Sequence, residues 1–144
     1  MTSCDGGKTV YPTSRAVYCG KTKSVVYSES LVGNLMAQDN GALAVEIIFA
    51  HETGHAIQDI SGSAIRPGGA AADNELDGSV TATELSADCF AGMYMRTSSA
   101  SDPDIYTALR MTYIGSHAGR KEAFELGRSV GVSAPKLCLS EYGG

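Results

Sequence analysis

No run in the 144 residues approaches the ~18 consecutive apolar side chains that a membrane-crossing helix needs. The opening MTSCDGGKTV has no apolar core of the kind a secretory signal requires, so no targeting segment and no membrane insertion are expected of the chain as it stands. Basic runs are missing too. Eleven Lys and Arg against 16 Asp and Glu leave a net charge of −5, an ordinary surface with no footprint for nucleic acid or an anionic membrane. There is no C-x-x-C pair, no internal repeat and no domain linker, so the expectation is one domain over 1–144, long enough to bury a core.

What cysteine there is comes in an even number: Cys4, Cys19, Cys89 and Cys138. That count fits two disulfides better than a thiolate zinc site and suggests an oxidising compartment, with buried free thiols as the alternative. Three connectivities are open. The sequential one, Cys4–Cys19 with Cys89–Cys138, would close an N-terminal loop and pin the C-terminal tail.

The first thirty residues are β-like. KTVY, RAVYC and SVVYS are short Val- and Tyr-rich runs between turn residues, read as a small antiparallel sheet from Lys8 to about Glu29. Leu31 to Met36 reads as a helical turn broken by QDNG. Ala42 to Ile60 reads as a long helix, apolar nearly all round in its first half, so it should run through the core. Residues 61–79 form a Gly-, Ala- and Asp-rich stretch read as a long loop. Further helices are expected at Thr81–Arg96, from Asp102-Pro103 to near Tyr113, and at Arg120–Val130 with Gly131 as a stop. The fold class is α+β: a sheet portion at about 1–30, then a mostly helical portion at about 42–131.

In EIIFAHETGHAIQDI, His51 and His55 lie four residues apart. On a helix that places them about 40° apart around the axis and about 6 Å along it, so two imidazoles face one point. Glu52 sits beside that point. This is the H-E-x-x-H arrangement, two nitrogen ligands for Zn²⁺ with a carboxylate placed to take a proton from water. Gln58 falls on the same stripe and can support the site by hydrogen bonding. The bland alternative is two histidines ending an apolar stripe, but buried imidazoles need partners.

A catalytic zinc needs a third protein ligand and an open position. In TATELSADCFAGMYMR, Glu84 and Asp88 share one helical face. Glu84 is the candidate ligand, and Asp88 can accept the second ring N–H of a ligating histidine. Two rivals claim Glu84. Thr81 and Glu84 make a capping box. Asp73, Glu75, Asp77, Gly78 and Glu84 nearly make a calcium loop, without the incoming helix an EF-hand needs. Cys89 as third ligand, as in peptide deformylases, points about 140° away from Glu84, a direction that suits a disulfide. For an additional donor to the reaction the candidates are His117, the remaining histidine, then Tyr113 and Tyr94. SVVYSES is a candidate sheet edge for an extended peptide substrate.

These stretches resemble the bacterial neutral zinc metallopeptidases (YpfJ-like) of the zincin-like fold. VYCGKTKSVVYSESLVGNL is similar to the family's strand, Tyr-Cys and strand segment, and IIFAHETGHAIQ to its His-Glu-x-Gly-His followed by Gln. SVTATELSADCFAG is similar to its Ser-Val, Glu-Leu-x-Ala-Asp-Cys and Ala-Gly stretch, and GSHAGRKEAFELG to a His-containing segment followed by Arg, an aromatic and Gly. The segments around His117 are shorter than the family's. The resemblance implies one Zn²⁺ per chain on His51, His55 and Glu84, with Glu52 as catalytic base and Asp88 behind a ligand. It implies a peptide or protein substrate, and a secreted, periplasmic or outward-facing location, since members usually carry an N-terminal membrane segment that is missing here. The expected function is thus a zinc-dependent endopeptidase. The rival classes are a non-catalytic zinc-stabilised binding module and a calcium-binding loop protein.

Overall fold

The computed structural model describes residues 2–3, 10–11, 16–20, 22–61, 82–133 and 135–143. The β-branched and aromatic runs at the start pair as two separate two-stranded antiparallel units among these residues. One joins β1 (Thr2–Ser3) to β2 (Val10–Tyr11), and the other joins β3 (Ala16–Cys19) to β4 (Ser24–Tyr27) in the register Ala16↔Tyr27 to Cys19↔Ser24. The sequence pointed to a single sheet starting at Lys8; pairing instead begins at Thr2. All four residues of β3 are buried, whereas β4 is half-buried and its last residue exposed. β3 therefore acts as the inner strand, packed on the long helix.

Helix α1 (Glu29–Met36) starts two residues ahead of the expected turn because Ser28 caps it, accepting a bond from the Leu31 backbone N–H. Helix α2 (Gly41–Ser61) carries Ala44, Ile47, Ile48 and Ala50 into the core. Its first half runs through the core as expected, with Leu43, Val45 and Phe49 half-buried around it, while Glu46, Thr53, Ile57 and Ile60 are exposed along one stripe. Helix α3 (Ala82–Met95) crosses it. Helix α4 (Asp102–Arg110) is capped by Ser101 and has Pro103 in its first turn. It stops short of Tyr113: the Thr112 hydroxyl donates to the Leu109 carbonyl at 2.7 Å, and Thr112 itself is extended. Tyr113–Ser116 instead form a short 3₁₀ helix. Helix α5 (Ala118–Val130) then runs to Gly131, whose φ of 66° ends it as expected. Helix α6 (Pro135–Gly143), absent from the sequence reading, closes the chain.

The core joins α2 to α1, α3, α4 and α5 through Leu35, Ile47, Met95, Leu109, Ile114 and Phe124. Two glycines decide how closely α3 and α5 approach. A Cβ on Gly92 would stand 1.8 Å from the Phe124 carbonyl oxygen, and one on Gly127 would stand 1.8 Å from that of Cys89. The helix backbones are thus in direct contact, and this brings the first turn of α5 beside the acidic face of α3. On the other side of α3, a buried Cys89–Cys138 disulfide holds α6, with Phe90 and Met93 packed around it. No cysteine among the described residues is free. Ser61 ends α2 rather than opening a loop, and residues 62–79, Cys4 of the expected Cys4–Cys19 pairing, the calcium candidates Asp73, Glu75, Asp77 and Gly78, and Thr81 of the capping box lie outside the described residues.

Candidate metal centre

The histidine stripe of α2 is wholly inside. His51, Glu52, His55 and Gln58 are each 0–2 % exposed, as are Glu84 and Asp88 on the facing side of α3. Gly54, inside the motif, explains how the two helices come near enough: a Cβ there would already sit 3.0 Å from the Ala87 Cα. Glycine in a helix interior destabilises by about 1 kcal/mol relative to alanine, and here close helix approach offsets that loss.

Donor atoms converge. Nε2 of His51 and Nε2 of His55 are 3.2 Å apart. Glu84 Oε2 lies 3.3 Å from His51 Nε2, and Oε1 lies 2.8 Å from His55 Nε2. Tetrahedral zinc bonds of about 2.0–2.1 Å put neighbouring donors about 3.3 Å apart. The two imidazole nitrogens match that spacing, and one or the other Glu84 oxygen lies at or just inside it from each of them. Glu52 Oε1 is 3.8 Å from His51 Nε2, and ligand atoms of His51, Glu52 and His55 all fall within 4.8 Å of one another, a cluster able to hold a metal ion. The donor set therefore fits zinc.

The far nitrogens are fixed in turn. His51 Nδ1 is 2.7 Å from Asp88 Oδ1, and His55 Nδ1 is 3.1 Å from Gln58 Oε1. Gln58 is itself anchored by donating to the Thr83 carbonyl at 3.0 Å. With Nδ1 bonded to an oxygen it carries the hydrogen, and Nε2 is left as the electron-pair donor. Burial pulls the His51 pKa down, but the Glu84 and Asp88 carboxylates outweigh it and hold the imidazole well above its ordinary value. Burial pushes Glu84 up, and His51 and His55 outweigh that to hold it far below the usual carboxylate range. Both shifts say that this pocket attracts positive charge.

Of the residues singled out from the sequence, His51, Glu52, His55, Gln58, Glu84 and Asp88 are brought together. Cys89 is committed to its disulfide. His117 is half-buried between the 3₁₀ helix and α5, and is not one of the three side chains in the cluster above. Tyr94 lies elsewhere, lining a groove of about 460 Å³ with Phe49, Thr53 and Ile57 on the opposite face of α2. Tyr113 is at the site: its hydroxyl donates to Glu52 Oε1 at 3.3 Å, and its ring meets that of His51 edge-on at 5.5 Å. Arg120 was missed. It is buried, donates to Asp88 from Nε at 2.7 Å and from Nη2 at 2.9 Å, and reaches Glu84 at 3.2 Å. The family-like segment GSHAGRKEAFELG contains it, but nothing in that stretch by itself places the guanidinium against Asp88 and Glu84.

No curated protein and no solved structure matches the chain. Residues 2–114, which include every side chain of the converging cluster, match the family described as "Putative neutral zinc metallopeptidase". The match spans most of the chain and takes in its buried His-Glu-x-x-His set, and the chain belongs to this family of zinc metallopeptidases.

Proposed function

We propose that the chain is a zinc-dependent endopeptidase, one domain over 1–144, that holds one Zn²⁺ on His51, His55 and Glu84. The observation that carries this is the meeting of three donors on two helices with a carboxylate, Glu52, beside them. Among the described residues Glu52, Glu84 and Asp88 are buried beside Arg120, an excess of carboxylate that favours a divalent cation.

Held by His51, His55 and Glu84, Zn²⁺ would supply the Lewis acidity for hydrolysis near neutral pH. Glu52 takes the proton from the attacking water and delivers it to the amine as the C–N bond breaks. Tyr113 holds Glu52 through Oε1 and, at 37 % exposure, marks the side from which a substrate enters. His117 lies four residues beyond it and is the second candidate for a donor to the carbonyl oxygen. Asp88 and Gln58 keep both ligating rings in one tautomer. The extended strand β4 is the place where we put an added peptide strand. The disulfide supports an extracytoplasmic location, and no helix among the described residues is long and apolar enough to cross a membrane.

Glu52 separates this from a zinc-stabilised binding module, which needs no carboxylate beside the metal. Glu52→Gln should abolish peptide hydrolysis while leaving about one zinc per chain by elemental analysis. Wild-type protein that cleaves no peptide in a mixed library, or that purifies with calcium and no zinc, sinks the reading.

A further inference from the structure

Arg120 lies past residue 114, where the family match ends. It is the third residue of α5 and 1 % exposed, held against α3 by the glycine contacts between those helices. A buried guanidinium is costly unless its donors are used. Here Nε and Nη2 make a two-point fork on Asp88, Nη2 also reaches Glu84 Oε2, and the guanidinium carbon sits 4.8 Å from the Tyr113 ring centroid.

Glu84 gives this arrangement its consequence. Oε1 is 2.8 Å from His55 Nε2 and Oε2 is 3.3 Å from His51 Nε2, so both oxygens stand beside ligating nitrogens. A carboxylate placed in that way is able to chelate an ion through both. Chelation would fill the coordination position that a catalytic zinc keeps open for water. Oε2 accepts the bond from Arg120 Nη2 at 3.2 Å.

We propose that Arg120 is a positioning residue that limits Glu84 to a single bond with the metal: the guanidinium holds Oε2, leaves Oε1 to the ion, and keeps Asp88 aligned on His51. The proposal rests on the metal site described above. It also accounts for arginine rather than lysine, because one ammonium cannot hold both oxygens of Asp88 and one of Glu84 in a fixed plane.

The test compares cobalt-substituted wild type with Arg120→Lys, which keeps the charge and loses the fork. Four-coordinate cobalt(II) absorbs visible light several-fold more strongly than five- or six-coordinate cobalt(II). Wild type should give the strong band. Arg120→Lys should lose at least half of it, and its zinc affinity, measured by chelator competition, should fall about 10- to 100-fold. A folded Arg120→Lys protein with unchanged spectrum and affinity overturns the role of Arg120 while leaving the metal site intact. Wild type that binds neither cobalt nor zinc overturns both. Zinc X-ray absorption of the wild type needs no variant: one carboxylate oxygen at about 2.0–2.2 Å is expected, and the short metal–carbon distance of a chelating carboxylate overturns the proposal.

Discussion

Asp88 Oδ1 meets His51 Nδ1 at 2.7 Å and also accepts from Arg120 Nη2 at 2.9 Å. One oxygen thus ties α2, α3 and α5 together behind the metal-facing nitrogen. Asp88→Asn keeps the shape but removes the anion and leaves Arg120 with a weaker partner. Zinc affinity should fall about 10- to 100-fold by chelator competition. An unchanged dissociation constant would show that the contact does not tune the ligand.

Tyr113→Phe removes the hydroxyl that bonds Glu52 and keeps the ring against His51. The expected result is a loss of kcat of about 10- to 100-fold with full zinc content. The parallel His117→Ala variant apportions the donor role. If only that variant loses activity, the donor is His117 and Tyr113 is packing.

Glycine contacts predict opposite outcomes within α5. Gly127→Ala drives a methyl into the Cys89 carbonyl and should destabilise by about 1–3 kcal/mol or more. Gly119→Ala, with nothing within 4 Å of its Cβ, should be neutral or stabilise by up to about 1 kcal/mol. Urea unfolding of both proteins reads this directly. Equal effects would mean that the helices do not touch at Gly127.

The disulfide closes 49 residues, and cutting it by Cys138→Ser should lower stability by about 4 kcal/mol in the chain-entropy account. Zinc content should persist, because no ligand is on α6. A reduced protein with the same denaturant midpoint would contradict this.

Far from the metal, Asp59 near the end of α2 accepts from Tyr18 of β3 at 2.7 Å and from Lys23 at 2.5 Å. The Lys23 ammonium and then the Tyr18 hydroxyl hold the Asp59 pKa below its ordinary value of 3.8. Its contribution is therefore complete above about pH 4 and lost as pH falls through the folded value. Burial, then the Asp59 bond and charge, push Tyr18 up to about 12 from 10.0. The folded state holds that proton more tightly, so stability is full below pH 10 and declines as pH rises toward 12. Tyr18→Phe should flatten the alkaline decline in a series of denaturation midpoints; an identical decline would assign it to other groups.

How much of this was legible beforehand follows from chain distance. His51 with His55, and Glu84 with Asp88, announce themselves because helical spacing alone puts each pair on one face. Tyr113 of the 3₁₀ helix bonds Glu52 of α2 from 61 residues away and Arg120 of α5 bonds Asp88 of α3 from 32 away, pairings that only tertiary packing creates. Helix α6 was invisible for a related reason. PKLCLSEYG has weak periodicity, and its hold on the domain comes from Cys89 and the surrounding Phe90 and Met93. The short strands were recognisable by composition, but which strand pairs with which is not written in their alternation.

Helix α3 is clamped on three sides, by α2 at Gly54, by α5 at Gly92 and by α6 through sulfur. A frame so braced gives Glu84 no room to move away from Glu52 once a bound ion is removed. Chelation should then leave the circular-dichroism spectrum as it was and lower the melting temperature, the mark of repulsion trapped inside an unyielding scaffold.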